Sequence, residues 1–377
     1  MGHRAGPVVA AVSGESRQHL PDPTFWRGRR VLLTGHTGFK GSWLAYWLDA
    51  IGAEVIGLSL PEPPTTPSLW EQLGLARVHD LRGEITSELW QQAAAELAPE
   101  VVLHLAAQSL VVVGYSDPYR TFRSNIQGTA DVVRFACETP SVIACLVITT
   151  DKVYDPRQST PFSEQSFLGG LDPYAASKAA AELVVAAWPS TGTRLGTARA
   201  GNVIGGGDWS LDRLLPDLVR AWSADETLVL RNPAGVRPWQ HVLEPLRGYL
   251  VFAESLATDL QVSKSYNFGP TELDAAPVQD IVTLAAKVWT DLGGSLPEQP
   301  WVATAEPTYH EMATLTLDST LAMRDLGWSG VLDWQEAVEL TLSWYMGVQS
   351  GKSASELTGE QLDEYRFQVE RRSREHA

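Results

Sequence analysis

The chain has only two cysteines, Cys137 and Cys145, in 377 residues. A disulfide framework is therefore excluded, and their spacing fits no metal site, so no metal is expected and a reducing cytoplasm is the natural setting. No apolar run approaches the roughly 18–20 residues of a membrane span. The short patch Val8–Val12 is too brief for a secretory signal, and Gly6 stands where a myristoylation signal wants Ser or Thr. Positive charge is also scarce, with 29 Lys+Arg against 45 Asp+Glu and a net charge of −16. Nucleic acid and anionic membrane are accordingly not expected as partners. Lysine is the scarcest base, with Lys40, Lys152, Lys178, Lys264, Lys287 and Lys352 alone. A lysine kept where arginine is the rule points to a job arginine cannot do, such as changing its protonation state.

What is present is an ordinary globular composition, 44% hydrophobic and 20% charged, long enough for two lobes. Residues 1–24 are polar and unperiodic and read as a loose tail. Val31–Thr34, Glu54–Leu58, Val101–Leu105 and Cys145–Thr149 are apolar on both faces, the mark of buried parallel strands. Between them, Ser42–Ile51 reads as an amphipathic helix, and helical spacing recurs around Asn125–Cys137. The expected fold is α/β: a Rossmann-type doubly wound parallel sheet with a smaller α+β lobe for the substrate. The chain then divides into a dinucleotide domain over 25–200 and 240–267 and a substrate lobe over 201–239 and 268–350. Asp333–Met346 reads as a helix, and 351–377 as a charged helical extension.

Gly35-His36-Thr37-Gly38-Phe39-Lys40-Gly41 follows the first strand and opens the first helix. Glycines there permit a tight turn and close approach of a diphosphate to unpaired backbone amides. The GxxGxxG spacing points to the short-chain dehydrogenase/reductase kind of Rossmann domain. The second strand ends Leu58-Ser59-Leu60-Pro61-Glu62, so an acid for the ribose comes late, and NAD rather than NADP is the reading. Lys40 either neutralises a phosphate or is solvated.

Tyr174-Ala175-Ala176-Ser177-Lys178 sets Tyr174 and Lys178 on one helix face, where an ammonium can favour a phenolate. Thr150-Asp151-Lys152 follows the strand Cys145–Thr149, at the edge where open α/β sheets bind ligands. Thr150 can bond a substrate hydroxyl, Asp151 can donate a proton, and Lys152 can accept one if desolvated.

The motifs Phe25–Gly28, Thr34–Trp43, Pro63–Thr65, Asp80–Gly83, His104–Gln108, Thr150–Lys152, Asp172–Tyr174 and Ala198–Trp209 together resemble the CDP-glucose 4,6-dehydratases. These are extended members of the short-chain dehydrogenase/reductase superfamily. Asp212-Arg213, Arg237–Val242, His310-Glu311 and Leu326–Trp328 extend the resemblance to most of the chain. It implies a hydro-lyase using NAD, with a CDP-sugar as substrate. Tyr174 would take the C4 hydroxyl proton as hydride passes to NAD, Asp151 would protonate the departing C6 hydroxyl, and Lys152 would remove the C5 proton. Most sugar-nucleotide 4,6-dehydratases carry Asp-Glu where this chain has Asp151-Lys152. The resemblance further implies that Gly35, Thr37, Gly38, Phe39, Lys40, Gly41, Glu84, Ile85, Ala106, Ala107, Tyr174 and Lys178 hold NAD. Gln108, Asn202, Gly207, Arg213, Arg237, Trp239 and His241 would line the substrate, with Trp209 and Trp239 either stacking on it or packing in the core.

The chain departs from the family pattern at Val111-Val112-Val113-Gly114, where arginine is usual after Leu110, at Glu84 in place of an Asp, and over Asp155–Thr160. Two other readings stay open: an epimerase or reductase without dehydration, and a binding scaffold without catalysis. Relatives assemble as dimers or tetramers, and Ala179–Trp188 is either such an interface or packs on the protein's own sheet.

Overall fold

The computed structural model describes residues 18–159, 161–189, 192–259, 261–270, 275–304 and 315–375. The Val8–Val12 patch and the His310-Glu311 pair lie outside them. Twelve strands run along the described chain: β1 (Arg30–Thr34), β2 (Glu54–Ser59), β3 (His79–Arg82), β4 (Val101–His104), β5 (Ala144–Ile148), β6 (Arg194–Ala200), β7 (Asn202–Ile204), β8 (Leu228–Leu230), β9 (Val236–His241), β10 (Ser265–Phe268), β11 (Ala275–Pro277) and β12 (Trp301–Ala303). Seven form one sheet in the order β10-β6-β5-β4-β1-β2-β3, and every pair in it is parallel. The small sheets are β11-β9-β7 and β12-β8.

The alternation of side chains explains why the strands read as apolar on both faces. Val31, Leu33, Val101, Leu103, Ala144 and Leu146 enter the larger core, with Trp43, Trp47 and Trp344. Leu32, Val102, Cys145 and Val147 enter the core on the opposite face, with Trp90 and Phe135. Strand β3 (His-Asp-Leu-Arg) is largely exposed at the sheet edge, and its polar sequence carries no strand signal.

Two expectations need correction. The helix Phe39–Ala50 is buried nearly all round rather than amphipathic: Trp43, Leu44, Ala45, Trp47 and Leu48 are all in the core. The Trp43 indole N–H reaches the Gly206 carbonyl (2.9 Å), so this helix is covered by a segment 163 residues further along the chain. Residues 18–24 are not a loose tail either. His19 N–H donates to the Gly327 carbonyl, and Arg247 donates to Gln18 Oε1 and to the His19 carbonyl (3.1 Å each).

Candidate active site

The order of the parallel sheet reverses between β1 and β4, and the loops leaving those two strands meet at that point. Gly35 has φ +77°, and a Cβ there would lie 2.8 Å from the Ala106 nitrogen. A Cβ on Gly41 would lie 2.0 Å from the Gly35 carbonyl oxygen. Those two glycines are required by the protein's own packing. Gly38 is different: a Cβ there would meet only the Gly35 oxygen, at an ordinary 3.4 Å. It caps the helix Phe39–Ala50 with no side-chain bond to the first amides. The turn therefore offers bare N–H groups and a missing side chain to an approaching phosphate, which fits a dinucleotide.

A single cavity of about 2350 Å³ opens over these loops. Gly35, Thr37, Gly38, Phe39, Lys40, Gly41, Glu84, Ile85, Ala106 and Ala107 line it, as do Thr150, Asp151, Lys152, Tyr174 and Lys178. Leu58 and Ser59 line it at the end of β2, while Glu62 does not. Ser59 Oγ is bonded to His36 Nδ1 (3.0 Å) and to the Thr37 N–H (3.2 Å), so the β2 terminus presents a hydroxyl where an acid was looked for. The lining holds ten Lys or Arg against six Asp or Glu, the reverse of the balance in the whole chain. An anionic ligand is drawn to such a focus of positive charge.

Asp172 caps the helix Pro173–Ala187, its carboxylate accepting from the Ala175 N–H, and this starts the helix one residue before Tyr174. Lys178 lies one turn on, buried, with Nζ donating to the Ile148 carbonyl at the end of β5 (2.8 Å). Burial pushes Lys178 down to about 8 against the pull of the Glu182 carboxylate. Burial pushes Tyr174 up to about 12, opposed by the neighbouring Thr150 hydroxyl and by the Arg213 charge. Lys178 is anchored on the β5 carbonyl, one turn from Tyr174, while Thr150 and Arg213 also favour the phenolate. Thr150 Oγ donates to Asp151 Oδ1 (2.9 Å), and Lys152 Nζ lies 3.6 Å from the same oxygen.

Lys40 is partly buried and lines the cavity at the turn. Its Nζ reaches the buried Tyr249 hydroxyl (3.5 Å). Burial, with the Arg213 charge, lowers it to about 7, while Asp151 works the other way.

Of the substrate residues, Gln108, Asn202, Arg213, Arg237 and Trp239 line the cavity. Gln108 is committed to the protein: its amide donates to Thr121 Oγ (2.9 Å) and the Leu110 carbonyl (3.1 Å), and accepts from the Leu110 N–H (2.6 Å). Trp239 is buried with its indole N–H on the Ala276 carbonyl (3.2 Å), a packing role. Arg213 pairs with Asp208 (3.6 Å), and Arg237 donates to the Val236 carbonyl. Gly207 and His241 are absent from the lining. Gly207 turns the chain at φ +78° against Leu69. His241 is wholly buried edge-on to Trp43, and burial pushes it down to about 3, so it stays neutral.

Sequence reasoning missed three contributors. Asn125, in a π-helical turn (Arg123–Gln127), bonds Gln108 N and O (2.8 and 2.9 Å) and Ser177 Oγ (2.8 Å), tying the β4 loop to the catalytic helix. Beneath that helix, Glu182 and Arg199 form a buried pair (2.8 Å), and Glu182 also accepts from Thr149 and Thr197. Arg120 and Arg123 line the cavity beyond the valine run, returning positive charge to the region that lost its arginine. Only the Glu182 position carried a signal, as a lone acid on the helix face four residues after Lys178.

Comparison with known proteins agrees with this geometry. Residues 31–269 match the model of the NAD dependent epimerase/dehydratase family. The chain is 38% identical over 361 residues to the CDP-glucose 4,6-dehydratase of Salmonella typhimurium, covering 91% of this chain and 98% of that protein. It is 27% identical to a probable dTDP-glucose 4,6-dehydratase of Sinorhizobium fredii, over 84% of this chain and 93% of the relative. The crystal structure of DesIV, a dTDP-glucose 4,6-dehydratase from Streptomyces venezuelae with NAD and TYD bound, superposes with a TM-score of 0.72. That match has 25% identity and covers 86% of this chain and 98% of DesIV. With its parallel sheet, its glycine turn and its Tyr-x-x-x-Lys helix, this chain belongs to the NAD dependent epimerase/dehydratase family.

Proposed function

We propose that this protein is an NAD-dependent nucleotide-sugar 4,6-dehydratase whose substrate is CDP-glucose and whose product is CDP-4-keto-6-deoxy-glucose. The observation that carries this reading is the juxtaposition of Asp151 and Lys152 with Tyr174 and Lys178 on one cavity. The second pair alone serves any hydride transfer at C4, whereas the first supplies the acid and base that elimination across C5 and C6 needs. NAD fits the Gly35–Gly41 cradle, and when bound it takes a hydride from C4 and returns one to C6.

The chain's own residues do the rest. Gly38, Thr37 and Phe39 present the turn to the cofactor phosphates, and Lys178 orients its ribose. Tyr174 accepts the C4 hydroxyl proton and Thr150 steadies its phenol. Asp151, almost wholly buried, donates to the departing C6 oxygen. Lys152, with its side chain 31% exposed, faces the cavity as the base for C5. Arg213 and Arg237 offer planar donors to the diphosphate. The division into a cofactor part, 25–200 with 240–267, and a sugar-nucleotide part, 201–239 with 268–350, belongs to the same proposal. So does self-association through the catalytic helix: Leu183 on it is 59% exposed, and Tyr119 and Phe122 on the helix Pro118–Phe122 packed beside it are 76% and 38% exposed.

The test is isotopic. CDP-glucose carrying deuterium at C4, incubated with NAD, should yield a 4-keto product with the deuterium at C6 and the mass of one water lost. Product of unchanged mass would favour an epimerase. Failure of the label to move, for every nucleoside-linked glucose offered, removes the dehydratase reading.

A further inference from the structure

NAD and NADP differ at the 2′-oxygen of the adenosine ribose, a hydroxyl in one and a phosphate in the other. An acid at the end of the second strand ordinarily makes the choice. Here β2 ends on Ser59, which lines the cavity. A serine hydroxyl both donates and accepts, so by itself it suits either group.

The surroundings of Ser59 remove that ambiguity. Its Oγ lies 3.0 Å from His36 Nδ1, and His36 Nε2 lies 3.0 Å from Asp80 Oδ1 on β3. The imidazole is fully buried in a slot shaped for it. A Cβ on Gly57 of β2 would lie 2.6 Å from the ring, and Trp70 meets it edge-on with 4.5 Å between ring centres. Gly57 pairs in register with Asp80, so the space left by the glycine opens toward the carboxylate. Burial lowers His36 against the pull of Asp80, and the ring is neutral with one N–H. A carboxylate can only accept, so that N–H is on Nε2, and Nδ1 takes the Ser59 proton. The Thr37 N–H donates to the same Oγ (3.2 Å). With its proton committed, Ser59 has only a lone pair to offer.

We propose that Asp80, His36 and Ser59 together select NAD over NADP: the carboxylate on β3 fixes the imidazole, the imidazole holds the serine proton, and Ser59 Oγ is left to accept from the ribose 2′-hydroxyl. Ser59 touches the cofactor, while His36 and Asp80 position it. A 2′-phosphate brings acceptor oxygens and negative charge to a lone pair and gains no hydrogen bond. Asp80 also withholds the cation that could receive it. Arg82 Nε and Nη2 are taken by Asp80 (2.6 and 2.8 Å), and Nη1 donates to the Leu60 carbonyl (3.1 Å). A guanidinium so engaged is not free to grip a phosphate. Among the described residues from Leu58 to Thr86, those lining the cavity include no lysine or arginine and one acid, Glu84. Selection of the cofactor in this way is independent of what becomes of the sugar.

Calorimetric titration of the full chain with NAD and with NADP tests the assignment, read as the ratio of the two dissociation constants. The wild type should bind NAD about 10²-fold more tightly than NADP. Ser59→Ala removes the acceptor and should weaken NAD about tenfold while leaving NADP within a few-fold. Asp80→Ala, on the exposed edge strand, unlocks the imidazole and frees Arg82. It should bring the two cofactors to within about tenfold of each other, chiefly by tightening NADP, and adding Arg82→Ala should reverse that gain. Loss of both cofactors in proportion in these variants, with the ratio unchanged, would mark the cluster as packing only and overturn the proposal. Equal binding of NAD and NADP by the wild type would overturn it as well. A wild type that binds neither removes the dinucleotide reading of the Gly35–Gly41 turn, and the selection falls with it.

Discussion

Lysine shows how a residue's chemistry follows from where the chain sends it. Three of the six lysines face one cavity, and two of those are pushed down by burial, Lys40 to about 7 and Lys178 to about 8. Because the folded value of Lys40 lies below the ordinary 10.5, its charged form weighs against the fold below pH 7, and that burden lifts as pH rises from 7 toward 10.5. The neutral amine is the nucleophile, so at pH 7.5 a small acylating reagent should modify Lys40 before the exposed Lys264, Lys287 and Lys352. Peptide mass mapping reads this, and uniform labelling of all four refutes it. Lys152→Met should still oxidise C4 but should lose exchange of the C5 proton with heavy water; normal exchange would assign the C5 base elsewhere. The motif showed that Lys40 belongs to the cofactor turn, yet its destination was illegible, because its partner Tyr249 lies 209 residues away in sequence. His241 failed for the same reason: its neighbour in the core, Trp43, lies on the helix Phe39–Ala50, far from it in sequence.

At the level of elements, the buried strands could be read from the sequence because both their faces are apolar, and the fold class followed from their alternation with helices. The exposed edge strand β3 was not, since its partner is on one side only and its side chains meet water. The glycine turn was legible as a motif, but not which glycine serves the fold and which the ligand. Gly41→Ala sets a Cβ 2.0 Å from a backbone oxygen and should destabilise the protein by at least about 3 kcal/mol, or prevent folding. Gly38→Ala meets no such contact and should melt within a few degrees of wild type, yet bind NAD at least about tenfold more weakly. Thermal melts with and without NAD decide both, and an unimpaired Gly38→Ala protein would mean that the cofactor does not approach this turn.

Across the whole molecule, the termini of the described chain are fastened by one buried cluster. Arg247, fully buried, bonds Gln18, His19 and Ser329, while Tyr365 on the last helix (Ala354–Glu375) accepts from Arg247 Nε and donates to Glu244, 2.8 Å each. Tyr365→Phe leaves two buried charged groups short of a partner and should cost about 2–4 kcal/mol in denaturant titration. A cost near zero would show that the cluster is solvated. The sequence marked 351–377 as helical but could not show where it docks, because the helices it packs on, Trp334–Gln349 and Leu69–Leu73, and the Gln18 carbonyl that accepts from Ser373 Oγ come from separate parts of the chain.

The helix Pro173–Ala187 carries Tyr174, Lys178 and Glu182 at intervals of four, and Leu183 beside them faces outward. Chemistry and the proposed contact between copies thus share a single stiff rod. Anything that tilts it from outside, whether dilution that parts the copies or an antibody seated on the exposed leucine, would be felt at the reacting sugar as a change in turnover, without touching the cavity at all.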